Sequence, residues 1–515
     1  MNKLTDSTLP QAARIHLSAP FDVLCRYATG ERAGELGVPS KEAVLRADRG
    51  AQWRSRVIWC VACLATAGIL LAPAIWNGFP LLEYDTGGYL ARWFEGYLVP
   101  SRPGAYGLLL AGTACFKFWP VLVAQAAATI WILALLMREL GLGPRPLPFL
   151  AVGTSLAFAT TLPWLTSILL TDIFAGLAVL ALHLLVFGQS VEPWQRRGLA
   201  AFVGFAAATH SATLALLTML VCLVALLPRG MLSPARVRDA LLALALGLAA
   251  TLSANCAVSG RFEFTPGGYG ILFGRMLEDG IVSRHLQDHC PDASLKLCPF
   301  RHQLPSSADE FLWGDSVFDR LGRFAGLNEE MRVIVLGSLR EYPRLQIEAA
   351  TVATATQLAR IATGEGVANT LWHTYGIIER YVPAAVPALR AARQQRGEIH
   401  FDAINHLHVP VALLSMALLP LLMAAGLKWP RLRRLSMLAT TIAAALLANA
   451  FVCGALANPH DRYGARLTWL VPMAMIFLPI SVWVSVPGAI ALRRRFPTAD
   501  GRASAAVREA ANAPS

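Results

Sequence analysis

Charge is what this chain has least of. Of its 515 residues only 15% are Asp, Glu, Lys or Arg, against 55% hydrophobic, which takes it outside the range of ordinary water-soluble domains. A Walker phosphate loop is missing, and so is a G-x-G-x-x-G element. Both work by closing backbone N–H groups on phosphates, and their absence argues against a nucleotide energy source within the chain. No compact His/Cys/Asp spacing stands out as a metal site, and no internal repeat recurs. Residues 1–56 have no charged-then-apolar order leading to a cleavage site, so they are expected to form a cytoplasmic extension in place of a cleaved signal peptide.

Long apolar runs are present throughout, each about long enough for a ~30 Å hydrocarbon layer at 1.5 Å per residue. Ten membrane spans are expected, at 57–75, 119–137, 146–164, 171–188, 198–209, 211–228, 238–257, 409–426, 436–457 and 467–488. Residues 198–228 admit one long helix or two; a tight turn at Thr209-His210-Ser211 is preferred because a single helix would put later loops on the wrong side. With the N-terminus inside, the basic segments Arg138 to Arg145, Arg196-Arg197, Arg229 to Arg238, Lys428 to Arg434 and Arg493-Arg494-Arg495 all fall on the cytoplasmic side. The net charge of +12 then needs no nucleic-acid partner. Trp76, Tyr84, Tyr89, Trp93, Tyr97, Trp119 and Trp164 gather at the opposite face as an aromatic belt would. Composition points to a bacterial inner membrane with both termini cytoplasmic.

The expected organisation is all-α. An N-terminal transmembrane module, 57–258, includes a first outer loop at 76–118. A mostly helical extracytoplasmic subdomain follows at 259–408, then C-terminal transmembrane helices at 409–490 and a disordered tail at 491–515. Within the first loop, Ala105 to Phe118 is apolar enough to lie on the membrane; making it a span would invert every later loop. Met331 to Ile361 fits amphipathic helices interrupted at Pro343. Cys60, Cys63, Cys115, Cys222, Cys256 and Cys453 sit in or beside apolar spans, where cysteine behaves as a small hydrophobe. Cys290 and Cys298 are the pair in the outer subdomain, where an oxidising compartment favours a disulfide.

Three polar constellations share the outer face in this topology: Glu83, Asp85, Arg92 and Arg102; Thr171-Asp172; and Asn458 through Arg466. Each has a plainer reading. Asp85 before Thr-Gly-Gly can organise a turn, Asp172 can cap a helix, and the 458–466 stretch can be a solvated loop. His210 reads as a polar cap and His183 as a partner of a neighbouring helix. No Asp, Glu, Lys or Arg falls near the middle of any expected span. A charge there costs roughly 2.5–3.5 kcal/mol, a cost that coupled transporters accept, so weight shifts toward an enzyme working at one face.

The pattern resembles the GT-C class of integral-membrane glycosyltransferases, which take sugars from polyprenyl-phosphate carriers. The resemblance rests on Glu83-Tyr84-Asp85 after the first helix, the amphipathic stretch before the second, Thr171-Asp172-Ile173, the large outer loop, and Asp461-Arg462-Tyr463 before the last helix. It covers about 57–230 and 440–490. It implies Asp85 as general base with Glu83 as the alternate, and Arg462 and Arg466, supported by Arg92 or Arg102, on the donor phosphate. Asp172, with His460, Asp461 and Tyr463, would orient the sugar or a divalent cation such as Mg²⁺ or Mn²⁺. Partners would be a lipid-linked sugar donor, a glycan, lipid or protein acceptor, and membrane lipids. Rival expectations are a polysaccharide polymerase or ligase and a lipid or oligosaccharide flippase. A flippase gains nothing from an acid at the membrane boundary.

Overall fold

The structure is a computed structural model and describes residues 41–100, 102–143, 145–227, 233–266 and 268–485. Much of the expected N-terminal extension and all of the tail at 491–515 therefore lie outside the described residues, as do Arg229 to Met231 and Arg493-Arg494-Arg495. The chain divides into two units, 1–57 and 58–515, and the second carries both of the apolar clusters around which the helices pack. The fold is 77% helix, and no strand occurs among the described residues.

Among the described residues, six helical stretches are long and apolar enough to cross a membrane: Gln52–Leu70, Trp119–Glu139, Pro234–Ser259, Asp402–Lys428, Pro430–Ala455 and Asp461–Ser481. Each overlaps an expected span. The other four expected spans appear as shorter helices, Pro146–Ala159, Asp172–Phe187, Pro193–Thr209 and Ser211–Ala225, of 14, 16, 17 and 15 residues. The count of ten is accordingly not established. Local chemistry sets where they end. Thr160 turns extended after Ala159, and its hydroxyl bonds back to the Leu156 carbonyl at 2.6 Å. His210 is extended between two helices, and its Nδ1 accepts from the Ala212 N–H at 3.2 Å, capping the second one.

Helix Asp172–Phe187 is the axis of the main core, with every residue but Phe187 buried. A helix apolar all round belongs inside a bundle, and it carries Asp172 in its first turn. Helix Gly104–Thr113, at the start of the stretch Ala105 to Phe118 expected to lie on the membrane, buries one face in protein: Tyr106 meets the rings of Tyr89 at 5.3 Å and Phe174 at 6.1 Å.

The expected outer subdomain has two characters. Residues 268–342 form short helices around their own apolar cluster, which includes Phe273, Phe311, Phe318 and Ile334. Helix Arg323–Glu341 ends at Tyr342, and Pro343 starts Pro343–Ala359, as the sequence indicates. Residues 361–401 pack onto the main core through Leu371, Tyr375, Ile378 and Leu389. Cys290 and Cys298 form a disulfide.

Candidate functional site

The loop carrying Glu83 and Asp85 is brought to Asp172 by backbone pairing. Leu81 N–H donates to the Ser167 carbonyl at 3.0 Å, and Leu169 N–H donates to the Leu81 carbonyl at 2.9 Å. The Gln394 side chain spans the next residue, accepting from Leu82 N–H at 2.9 Å and donating to its carbonyl at 2.7 Å. Helix Tyr84–Glu95 then starts with a capping box. Glu83 accepts from Asp85 N–H at 2.7 Å, and Thr86 Oγ1 accepts from Glu83 N–H at 3.0 Å while donating to the Leu169 carbonyl at 2.9 Å. Gly87 has to be glycine, because a Cβ there would meet Thr374 Cα at 2.6 Å. Asp85 thus belongs to a helix start, and its carboxylate is left over for other work.

Arg462 is the hub. Its Nε donates to Asp172 Oδ2 at 2.7 Å, and its Nη1 donates to Glu83 Oε1 at 2.8 Å and Asp85 Oδ2 at 2.9 Å. Its own N–H is held by Glu365 Oε2 at 2.7 Å. Arg102 closes the other side, with Nε at 2.6 Å and Nη2 at 2.5 Å from Asp85 Oδ1. Burial alone would raise the pKa of Asp85, but Arg102 and Arg462 outweigh it and hold the carboxyl well below the usual range. Glu83 goes the other way. Burial dominates over the attraction of Arg462, and with the repulsion of Asp85 it pushes the carboxyl up to about 7. Two neighbouring acids are therefore set apart, one firmly ionised and one poised near neutrality.

A second cluster braces the hub. His460 Nε2 lies 3.2 Å from Asp309 Oδ2, and its Nδ1 lies 2.9 Å from Glu365 Oε1. Burial opposes protonation of His460, but these two carboxylates overcome it and raise its pKa to about 9. Asp309 is lowered by its bond to His460, and Glu365 is lowered because His460 and the Arg462 N–H outweigh burial.

Asp85, Arg102, Asp309, Trp313, His460 and Tyr463 border two cavities, one of about 580 Å³ and one of about 100 Å³. The larger also takes in Glu83, Arg92, His373 and Arg462. Arg92 is buried, and its Nε and Nη1 donate to nothing. Its guanidinium stands 5.7 Å from the Tyr97 ring, and no carboxylate among the described residues pairs with it. Burial, with repulsion from Arg102, lowers its pKa to about 10, which leaves it charged at neutral pH.

Most of the residues singled out from sequence converge here: Glu83, Asp85, Asp172, Arg462, Arg102, Arg92, His460 and Tyr463. Asp172 joins the cluster through Arg462 without lining either cavity, and two others stand apart from both. Arg466, expected at the donor phosphate, is fully buried and donates to Asn449 Oδ1 at 2.6 and 3.0 Å and to Cys453 Sγ at 3.1 Å, with Asp172 at 3.8 Å. Asp461, expected near the sugar or metal, accepts from Ala362 N–H at 2.9 Å and so anchors a loop. Asp172 meets Asp85 only through Arg462, so a divalent cation between those carboxylates would have to displace a guanidinium. Glu365, Asp309, Trp313 and His373 were missed. Gly364-Glu365-Gly366 was the available signal for one of them, since an acid between two glycines marks a backbone pressed close to something; both glycines have positive φ, at 99° and 81°. Comparison with protein-family models, with curated proteins and with solved structures finds no match.

Proposed function

We propose that the chain is a GT-C-like membrane glycosyltransferase that moves a sugar from a polyprenyl-phosphate donor to an acceptor hydroxyl, at a site facing away from the cytoplasm of a bacterial inner membrane. The observation that carries this reading is an ionised carboxylate clamped between two guanidinium groups on the wall of a 580 Å³ cavity that also contains Arg92, which has no carboxylate partner among the described residues. A pairing of base and spare cations suits a reaction that takes a proton from one partner and leaves negative charge on the other.

In that reaction the acceptor oxygen bonds to the anomeric carbon as the bond from that carbon to the phosphate oxygen breaks. The bonding pair leaves with the phosphate, and the hydroxyl proton passes to a carboxylate. Asp85 between two guanidiniums is a weak base before a donor binds. A donor phosphate that draws N–H bonds from Arg102 or Arg462 would remove part of that stabilisation, so Asp85 becomes more basic only once the donor is bound. Glu83, near neutrality, is the alternate base. Arg92 stabilises the departing phosphate, and Asp172 positions Arg462.

The test is incubation of the purified protein with radiolabelled polyprenyl-phosphate sugars, comparing wild type with Asp85→Asn. Loss of transfer by about 10²–10⁴-fold with retained folding is expected. An unimpaired Asp85→Asn enzyme removes Asp85 as the base. Failure of wild type to transfer any such sugar sinks the reading.

A further inference from the structure

Helix Ile281–His289 presents His285 and His289 on one face, four residues apart. Glu341, at the end of helix Arg323–Glu341, lies against them, with Oε2 3.5 Å from His285 Nδ1 and Oε1 3.5 Å from His289 Nε2. The donor atoms of all three lie within 4.8 Å of one another. None of these residues touches the Arg462 site.

We propose that His285, His289 and Glu341 form a transition-metal site, of the kind Zn²⁺ takes, with the remaining coordination position open to solvent. The hydrogen bonds around the cluster argue for a cation in it. His289 Nδ1 lies 2.9 Å from the His285 carbonyl, which as an acceptor requires the ring proton on Nδ1. In the neutral ring the lone pair of Nε2 then faces a carboxylate oxygen, an unfavourable contact unless a cation sits between them. A backbone carbonyl fixing the distal nitrogen is the arrangement that aims a ligating histidine. His285 is 4% exposed, and its Nδ1 has no hydrogen-bond partner while pointing at the same carboxylate. The two imidazoles are stacked at 4.1 Å, so protonating both would place like charges face to face.

The spacing fits. With bonds of about 2.0–2.2 Å, tetrahedral donors stand about 3.4 Å apart, close to both Glu–His separations; the two nitrogens, within 4.8 Å of one another, reach that distance when the rings turn out of their stack. Gly337 leaves the room, since a Cβ there would lie 3.0 Å from His285 Cε1 and 3.8 Å from Glu341 Oε1. Asp288 is no fourth ligand, because Arg284 and the Tyr342 hydroxyl hold its Oδ2 at 2.9 and 2.8 Å. Metal would pin the helix that precedes the Cys290–Cys298 disulfide to the helix that leads into Pro343.

The experiment uses the full chain in detergent, its disulfide intact and any histidine tag removed, stripped with chelator and titrated with Zn²⁺ alone. One equivalent is expected to bind with Kd on the order of 1 μM or tighter. His289→Ala and Glu341→Gln, both at exposed positions, should weaken it by at least about 30-fold. Zn²⁺ at about 100 times the wild-type Kd should favour the folded wild type by about 100-fold and either variant by no more than about 4-fold. No binding at 100 μM, or equal binding by wild type and both variants, overturns the proposal and leaves an imidazolium–carboxylate contact only.

Discussion

Replacing Arg462 by Met tests the hub without reference to any substrate. The change removes three charge-assisted bonds, of 2.7, 2.8 and 2.9 Å, to Asp172, Glu83 and Asp85. The three carboxylates do not suffer equally. Asp85 keeps Arg102, and Glu83 keeps the Asp85 N–H. Asp172, 1% exposed, is left with Arg466 at 3.8 Å. Breaking a buried pair by removing one partner costs about 3–5 kcal/mol. With one acid of three stranded, a loss near the lower bound, about 3 kcal/mol, is expected, or somewhat over 10² in the folding equilibrium. Glu83 also loses its main attraction, so its pKa climbs further above the ordinary value. A raised folded-state pKa means stability falls as pH rises through it, so the deficit should widen above pH 7. Adding Asp172→Asn should recover about 1–2 kcal/mol by neutralising the stranded acid. The measurement is reversible unfolding in mixed micelles, followed by tryptophan fluorescence from pH 5 to 8. A loss below about 1 kcal/mol, or simple additivity of the two substitutions, would refute the claim that Arg462 is the shared counterion.

Three further outcomes are expected. Arg92→Gln should leave the fold intact, since that guanidinium pairs with no acid among the described residues, and should raise the donor KM about 10-fold or more with a smaller change in kcat; an unchanged KM removes Arg92 from the phosphate site. The His460 brace should weaken in alkali. Its folded pKa of about 9 lies above the ordinary 6.5, so its stabilisation is full below 6.5 and lost as pH rises through 9. Wild type should lose about 1–2 kcal/mol over that window, discounted for the exposure of Asp309, while His460→Gln stays flat; parallel profiles would contradict the pairing. Gly366→Ala should lower stability by at least about 1 kcal/mol, because φ is 81° and the new Cβ would meet Glu83 Oε1 at 2.5 Å. It should also impair any activity that depends on Glu83, and a neutral Gly366→Ala variant would show that this loop tolerates movement.

The polar face was legible because its residues are costly to place beside a membrane without a purpose. Glu83, Asp85, Asp172 and Arg462 stood out by type and by position next to apolar helices, and the His210 break was readable from Thr209-His210-Ser211. The fate of Arg466 was not readable: only the turn Phe451–Ala455, wound more loosely than an α-helix, sets Asn449 and Cys453 around its guanidinium. Nor was the role of Glu365, which depends on residues 361–401 folding back onto the main core. The span at 146–164 was drawn too long because hydropathy continues through Thr160 while the helix stops at Ala159. His285 and His289 escaped notice because their third partner lies on a separate helix.

The wiring of Arg462 also bears on how the protein is made. Asp172 precedes it by 290 positions and Glu83 by 379. A chain leaving the ribosome presents three acids to the insertion machinery long before their shared counterion exists. Until the last helices arrive those acids must stay protonated, hydrated or shielded by a helper protein. Nascent chains stalled short of residue 462 should therefore be open to proteases at the end where the acids gather, and completion of the C-terminal hairpin would be the step that seals it.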